Sequence, residues 1–118
     1  MINEFGLRYL KDISKRIEAI FEICEANGGI TQALNDDKFC EPAIIFHLII
    51  CKEDIDKIVY DGGSLKDIFS QKDIIGLKAI KNATKPDFKD ISLAVVEKII
   101  NYYLTPLKQK IDAYINSI

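Results

Sequence analysis

The stretch LKDISKRIEAIFEIC, Leu10 to Cys24, decides the fold class. Leu10, Ile13, Ile17, Ile20 and Cys24 recur at alternating steps of three and four. At about 3.6 residues per turn, such residues share one side of a helix and the polar residues between them face away. The stripe predicts a helix from about Asn3 to Asn27. Asn3 is placed to cap its start, and Gly28-Gly29 to end it, because glycine tolerates the left-handed conformation that closes a helix.

The same rhythm extends outward along the chain. Beyond a short polar stretch, Glu41-Pro42 opens a second helix, with proline in the first turn where its missing N–H costs nothing. Ile44, Leu48, Cys51, Ile55 and Ile58 form its stripe. Asp61-Gly62-Gly63 ends it, and Ser64 is positioned to cap a short segment from Leu65 to Phe69. A third helix is expected from about Lys72 to Thr84, broken at Lys85-Pro86 because a residue before proline avoids helical geometry. Asp90 or Ser92 starts a last run, marked by Val96, Ile99 and Tyr103 and then, past Pro106, by Leu107, Ile111, Tyr114 and Ile118. An interior proline kinks or splits a helix, so this run is one bent helix or two on a shared axis. No segment alternates at period two. The expected fold is all-α, an up-and-down four-helix bundle, or five helices if the last divides at Pro106.

The 118 residues, 48% hydrophobic and 29% charged, make one domain, 1–118, large enough to bury a core without disulfides. Apolar runs such as Ala43 to Phe46 and Leu48 to Cys51 fall far short of the roughly 20 residues of a membrane span. Met1-Ile2-Asn3-Glu4-Phe5 has neither the basic region nor the apolar stretch of a secretion signal, so the expected location is the cytoplasm. Cys24, Cys40 and Cys51 match no zinc spacing and are odd in number, which reads as reduced core thiols. Apolar residues outside the stripes, among them Phe21, Ile23, Ile45, Phe46, Ile49, Ile50, Ile100 and Tyr102, widen the apolar faces and favour a homodimer.

Composition offers little catalytic chemistry. The sole histidine, His47, lies a turn from Ile44 and Cys51 and reads as a core or interface side chain. Asp36-Asp37, Glu53-Asp54 and Asp87 are carboxylates, but adjacent acids face apart on a helix and commonly sit at caps or in solvent, so no metal and no cofactor are expected. Gly28-Gly29 and Gly62-Gly63 lack the spacing of a phosphate loop. A net charge of −2 excludes a strongly basic nucleic-acid binder and leaves room for a local patch. The suggestive cluster is Lys78, Lys81, Lys85 and Lys89, which can meet RNA phosphates or simply form the wet face of an amphipathic helix.

Longer stretches carry a resemblance. Leu7-Arg8-Tyr9-Leu10-Lys11-Asp12-Ile13 opens the chain, and Pro42-Ala43-Ile44-Ile45-Phe46-His47-Leu48-Ile49-Ile50 makes its second helix. The most specific stretch runs from Asp73-Ile74-Ile75-Gly76-Leu77-Lys78 through Ala79-Ile80-Lys81-Asn82-Ala83-Thr84 to Lys85-Pro86-Asp87-Phe88, and Leu104, Pro106, Leu107 and Ile111 close the chain. Together these resemble the HepT-like family, small bacterial helical proteins first described as substrate-binding partners of nucleotidyltransferases. Where that family has a Gly-Glu pair after its second helix, Lys52 replaces the glycine and Glu53 remains.

In active HepT-like toxins the motif is Arg, at least four residues, His, any residue, Tyr, and it cleaves RNA without metal. This chain is similar in frame and departs at each reactive position: Lys81 stands for the arginine, Pro86 for the histidine and Phe88 for the tyrosine. Pro86 cannot transfer a proton. Phe88 has no hydroxyl to meet a phosphate or to accept the adenylyl groups that family partners attach. Lys81 keeps the charge without the planar fork. The resemblance therefore implies a non-catalytic or weakly active component of a toxin-antitoxin-type module. It would bind a nucleotidyltransferase antitoxin, and RNA weakly, through Lys78, Lys81, Asn82, Lys85 and Asp87. The alternatives are a metal-independent endoribonuclease with residual activity and a helical scaffold unrelated to RNA.

Overall fold

The computed structural model describes residues 4–60, 68–83 and 92–118. Helix α1 spans Glu4–Ala26, and its whole stripe from Leu10 to Cys24 is buried. It stops where expected: Gly28 and Gly29 take positive φ, and the Gly29 N–H donates to the Cys24 carbonyl at 2.8 Å. The reversal feeds a six-residue helix, α2, Ile30–Asn35, in the stretch read from the sequence only as short and polar. Ala33 and Leu34 are buried in it, so its one apolar turn is held by the core rather than by propensity.

Asp36 accepts from the backbone N–H groups of Lys38 and Phe39 and turns the chain into α3, Cys40–Tyr60, with Pro42 in its first turn. All five predicted stripe residues of α3 are buried. Helix α4 spans Gln71–Ala83. Its cap is Ser70: the Asp73 N–H donates to Ser70 Oγ, and the Ser70 N–H donates back to Asp73 Oδ2 at 3.0 Å, a reciprocal capping box. Ser64, Leu65 and the start of the short segment drawn from them lie outside the described residues, as do Asn3, Gly62, Gly63 and Asp90.

The final run begins at Ser92, whose hydroxyl accepts from the Val95 N–H. It comprises α5, Leu93–Ile99, a π-helical segment, Ile100–Leu104, and α6, Thr105–Asn116, without a break. Pro106 has no N–H for the Tyr102 carbonyl and its ring crowds that carbonyl; the wider π turn lies there, so of the two forms expected at the proline the run takes the continuous one.

Side-chain pairs fix the packing. On the α1–α3 seam, Lys57 lies over the Tyr9 ring and Arg16 meets His47, so rising numbers on one helix meet falling numbers on the other. On the α1–α6 seam Ser14 meets Asp112 and Glu18 meets Lys108. On the last seam Gly76 meets Tyr103 and Asp73 meets Lys110. The three seams are antiparallel, and α3 joins α4 through Asp56 and Lys81, giving an up-and-down bundle of four long helical runs. The core between them is mostly Ile and Leu. Cys24, Cys40 and Cys51 are buried and unbridged. Among the described residues, no helix is long and apolar enough to cross a membrane.

Candidate functional site

Helix α4 carries the described part of the sequence-derived site. Lys78, Lys81 and Asn82 stand three and four residues apart and share one face, with Lys78 and Asn82 exposed. Lys81 Nζ lies 2.9 Å from Asp56 Oδ1 of α3, and Lys52 approaches the same carboxylate at 3.8 Å. One acid thus sits between two cations at the α3–α4 edge, and Lys78 adds a third positive charge to the face. Lys85, Pro86, Asp87 and Phe88 lie outside the described residues.

This face offers charge and hydrogen bonds to an anion; among the described residues it holds no histidine. The histidine stands elsewhere. His47 precedes Asp56 by nine residues on α3, which is two and a half turns and about 13.5 Å, so it points to the opposite side of the helix. It faces α1 instead, where its Nδ1 lies 3.3 Å from Arg16 Nη1. Burial, and then the Arg16 charge, hold His47 below its ordinary pKa.

That second location is richer in titratable groups than the lysine face. Asp12 and Arg16, one turn apart on α1, form an ion pair with Arg16 Nε 3.5 Å from Asp12 Oδ1. The Arg16 guanidinium also lies over the Phe46 ring, 5.8 Å from its centre. Below them Asp54 of α3 is 5% exposed, although adjacent acids such as Glu53-Asp54 were expected at caps or in solvent. Glu53 is indeed exposed; Asp54 is not, because it follows Cys51 by three residues and precedes Ile58 by four, on the buried stripe. The Asp12 and Asp54 carboxyls are within hydrogen-bonding reach. Burial, then the Asp12 carboxyl, push Asp54 up to about 8; the Asp54 hydrogen bond holds Asp12 below the usual carboxylate range. Burial also pushes the neighbouring Cys51 thiol up to about 12, which makes it a poor nucleophile.

A third group lies on the α1–α6 seam. Ser14 Oγ donates to Asp112 Oδ1 at 2.6 Å, and Lys108 Nζ donates to Asp112 Oδ2 at 2.7 Å beside Glu18. Each charge there has a partner, so it reads as a structural clasp. Among the described residues, no group of three or more His, Cys, Asp and Glu side chains is arranged to hold a metal ion. Comparison of the chain with protein-family models, curated proteins and solved structures gives no match.

Proposed function

We propose that this chain is a HepT-like binding module without effective RNA-cleaving chemistry. It acts in the cytoplasm as part of a toxin-antitoxin-type pair, and the face around Lys78, Lys81 and Asn82, with the motif residues that follow, contacts a small nucleotidyltransferase and, weakly, RNA. The observation that supports this reading is the placement of His47. RNA cleavage through the 2′-hydroxyl needs a base, an acid and a cation at one phosphate. Lys81 supplies a cation, while the chain's sole histidine is on the far side of α3 and engaged with Arg16. A homodimer is part of the proposal, and the exposed Phe39, Phe46 and Tyr102 supply apolar surface for it.

The test is RNA cleavage by the purified chain in chelator, beside a variant combining Lys81→Arg, Pro86→His and Phe88→Tyr. The unmodified chain is expected to leave RNA intact and the triple variant to cut it. Cleavage by the unmodified chain that Lys81→Ala abolishes would replace the binding reading with a residual ribonuclease. A nucleotidyltransferase encoded beside this chain is expected to co-elute with it, and Lys78→Glu with Lys81→Glu to weaken the complex. Failure of both arms would leave a helical scaffold unrelated to RNA.

A further inference from the structure

Two carboxyl groups in contact inside a helix seam present a problem that a proton solves. Asp54 Oδ2 is buried and accepts no hydrogen bond from any protein donor. A buried, unsatisfied carboxylate is costly, and a second carboxylate against it adds repulsion. The cross-helix pairs on either side, Tyr9 with Lys57 and Arg16 with His47, fix the register that brings Asp12 opposite Asp54. Arg16 cannot neutralise both acids, since its guanidinium is spread over Asp12, the Phe46 ring and His47. We propose that Asp12 and Asp54 hold one proton between them as a clasp across the α1–α3 seam, and that release of this proton loosens the seam.

The geometry gives the proton a route. The Asp12 side chain is 33% exposed, whereas Asp54 lies beneath it, so the proton reaches water through Asp12. The groups acting on Asp54 are Asp12 and Arg16 from α1 and, on its own helix, Lys57 and Cys51. From α4, Lys81 reaches Asp56, which points away from Asp54 by more than half a turn.

The direction with pH follows from linkage. The folded Asp54 keeps its proton up to about 8, while the unfolded side chain releases it near 3.8. Its contribution to stability is complete below 3.8 and is lost as pH rises through the folded value. His47 acts oppositely: its contribution is complete above 6.5 and lost as pH falls through its lowered folded pKa. Above pH 6.5 the carboxyl pair therefore acts without opposition from His47, until the pair has lost its proton at about 8.

Carbon-13 NMR of the Asp carboxyl carbons in the intact chain tests the clasp directly. One carboxyl at the seam is expected to titrate in the alkaline range and to vanish from the titration in Asp54→Asn. Titration of every Asp below pH 5 would overturn the proposal without any variant. The seam is tested by melting and by hydrogen exchange. The Tm of the unmodified chain is expected to fall by roughly 4 °C per pH unit between 6.5 and 8, and then level off. Asp54→Asn, which keeps the shape of a protonated acid, is expected to flatten that slope. From pH 7 to pH 9, amides of α1 and α3 beside the pair should lose protection at least tenfold more than those of α6, after correction for intrinsic rates. Equal loss in the two regions, or an unchanged slope in Asp54→Asn, would overturn the loosening.

Discussion

The α1–α3 seam and the α4–α6 seam are both antiparallel, yet they close by different means. Between α1 and α3, buried Leu and Ile side chains run along the length of both helices, and Asp54 stands among them with Asp12 at the edge. Between α4 and the last run, backbone comes close to side chain at one point. Gly76 lies under Tyr103, and a Cβ there would meet the ring at 2.8 Å and the tyrosine's own Cβ at 3.1 Å. A seam filled by side chains fails when volume is removed, because the surrounding atoms cannot collapse fully into the gap. A seam built on an absent side chain fails when volume is added. The two halves of this bundle should therefore respond to opposite kinds of substitution.

The largest effect should come from truncation in the first seam. Leu48 is fully buried, and Leu48→Ala is expected to cost about 2–5 kcal/mol in urea unfolding. A cost near zero would show that the α1–α3 seam is loosely packed and that the contrast is false. Next comes the opposite change in the second seam: Gly76→Ala is expected to cost about 1–3 kcal/mol, since the blocking atoms include the base of the Tyr103 side chain and not only its free end. Tyr103→Ala removes the ring contacts but keeps the Cβ at 3.1 Å, so it should relieve part of that penalty, and a double-mutant cycle separates the ring from the backbone approach. Ser70→Ala, which breaks the capping box of α4, should cost about 1 kcal/mol, read as a fall in urea midpoint with unchanged slope. The smallest effect belongs to the lysine face. Lys81 and Asp56 are each more than 40% exposed, so Lys81→Ala should change stability by less than about 1 kcal/mol. That near-neutrality makes it a clean probe of partner binding.

Much of this architecture is legible in the amino-acid sequence. The three-four stripes of α1 and α3 named their buried residues one by one, because a helix longer than five turns repeats its pattern often enough to be unambiguous. Helix α2 escaped notice because six residues carry a single turn of periodicity, and the glycine pair before it reads only as a stop. The capping box is written in the chain as Ser70 followed three residues later by Asp73, but an aspartate at that position is a weaker signature than the usual Glu or Gln, and Ser64 offers a competing cap.

The candidate site was legible unevenly. The shared face of Lys78, Lys81 and Asn82 follows from spacing alone, whereas the Asp56 beneath Lys81 depends on how α3 meets α4. The Asp12, Arg16, His47 and Asp54 group was missed for the same reason, since the register between two helices is nowhere spelled out in either. One signal was available: Asp54 falls on the apolar stripe of α3, where an acid is out of place unless it is neutral or paired.

The π segment before Pro106 has a consequence for the phase of the last run. From Val96 to Ile111 is fifteen residues, which at about 3.6 residues per turn overruns four turns by about one-sixth of a turn. A plain α-helix of that length would carry its apolar edge slowly around its axis. The five residues of the π segment wind less per residue and cancel part of that drift, so Val96, Leu104 and Ile111 all reach the core from one side. The proline that interrupts the hydrogen-bond ladder thus coincides with a vernier that keeps the helix in step with its neighbours. Deleting one residue between Ile100 and Leu104 would leave enough chain for one ordinary α turn, so Leu107 and Ile111 are expected to keep facing the core while the π segment disappears.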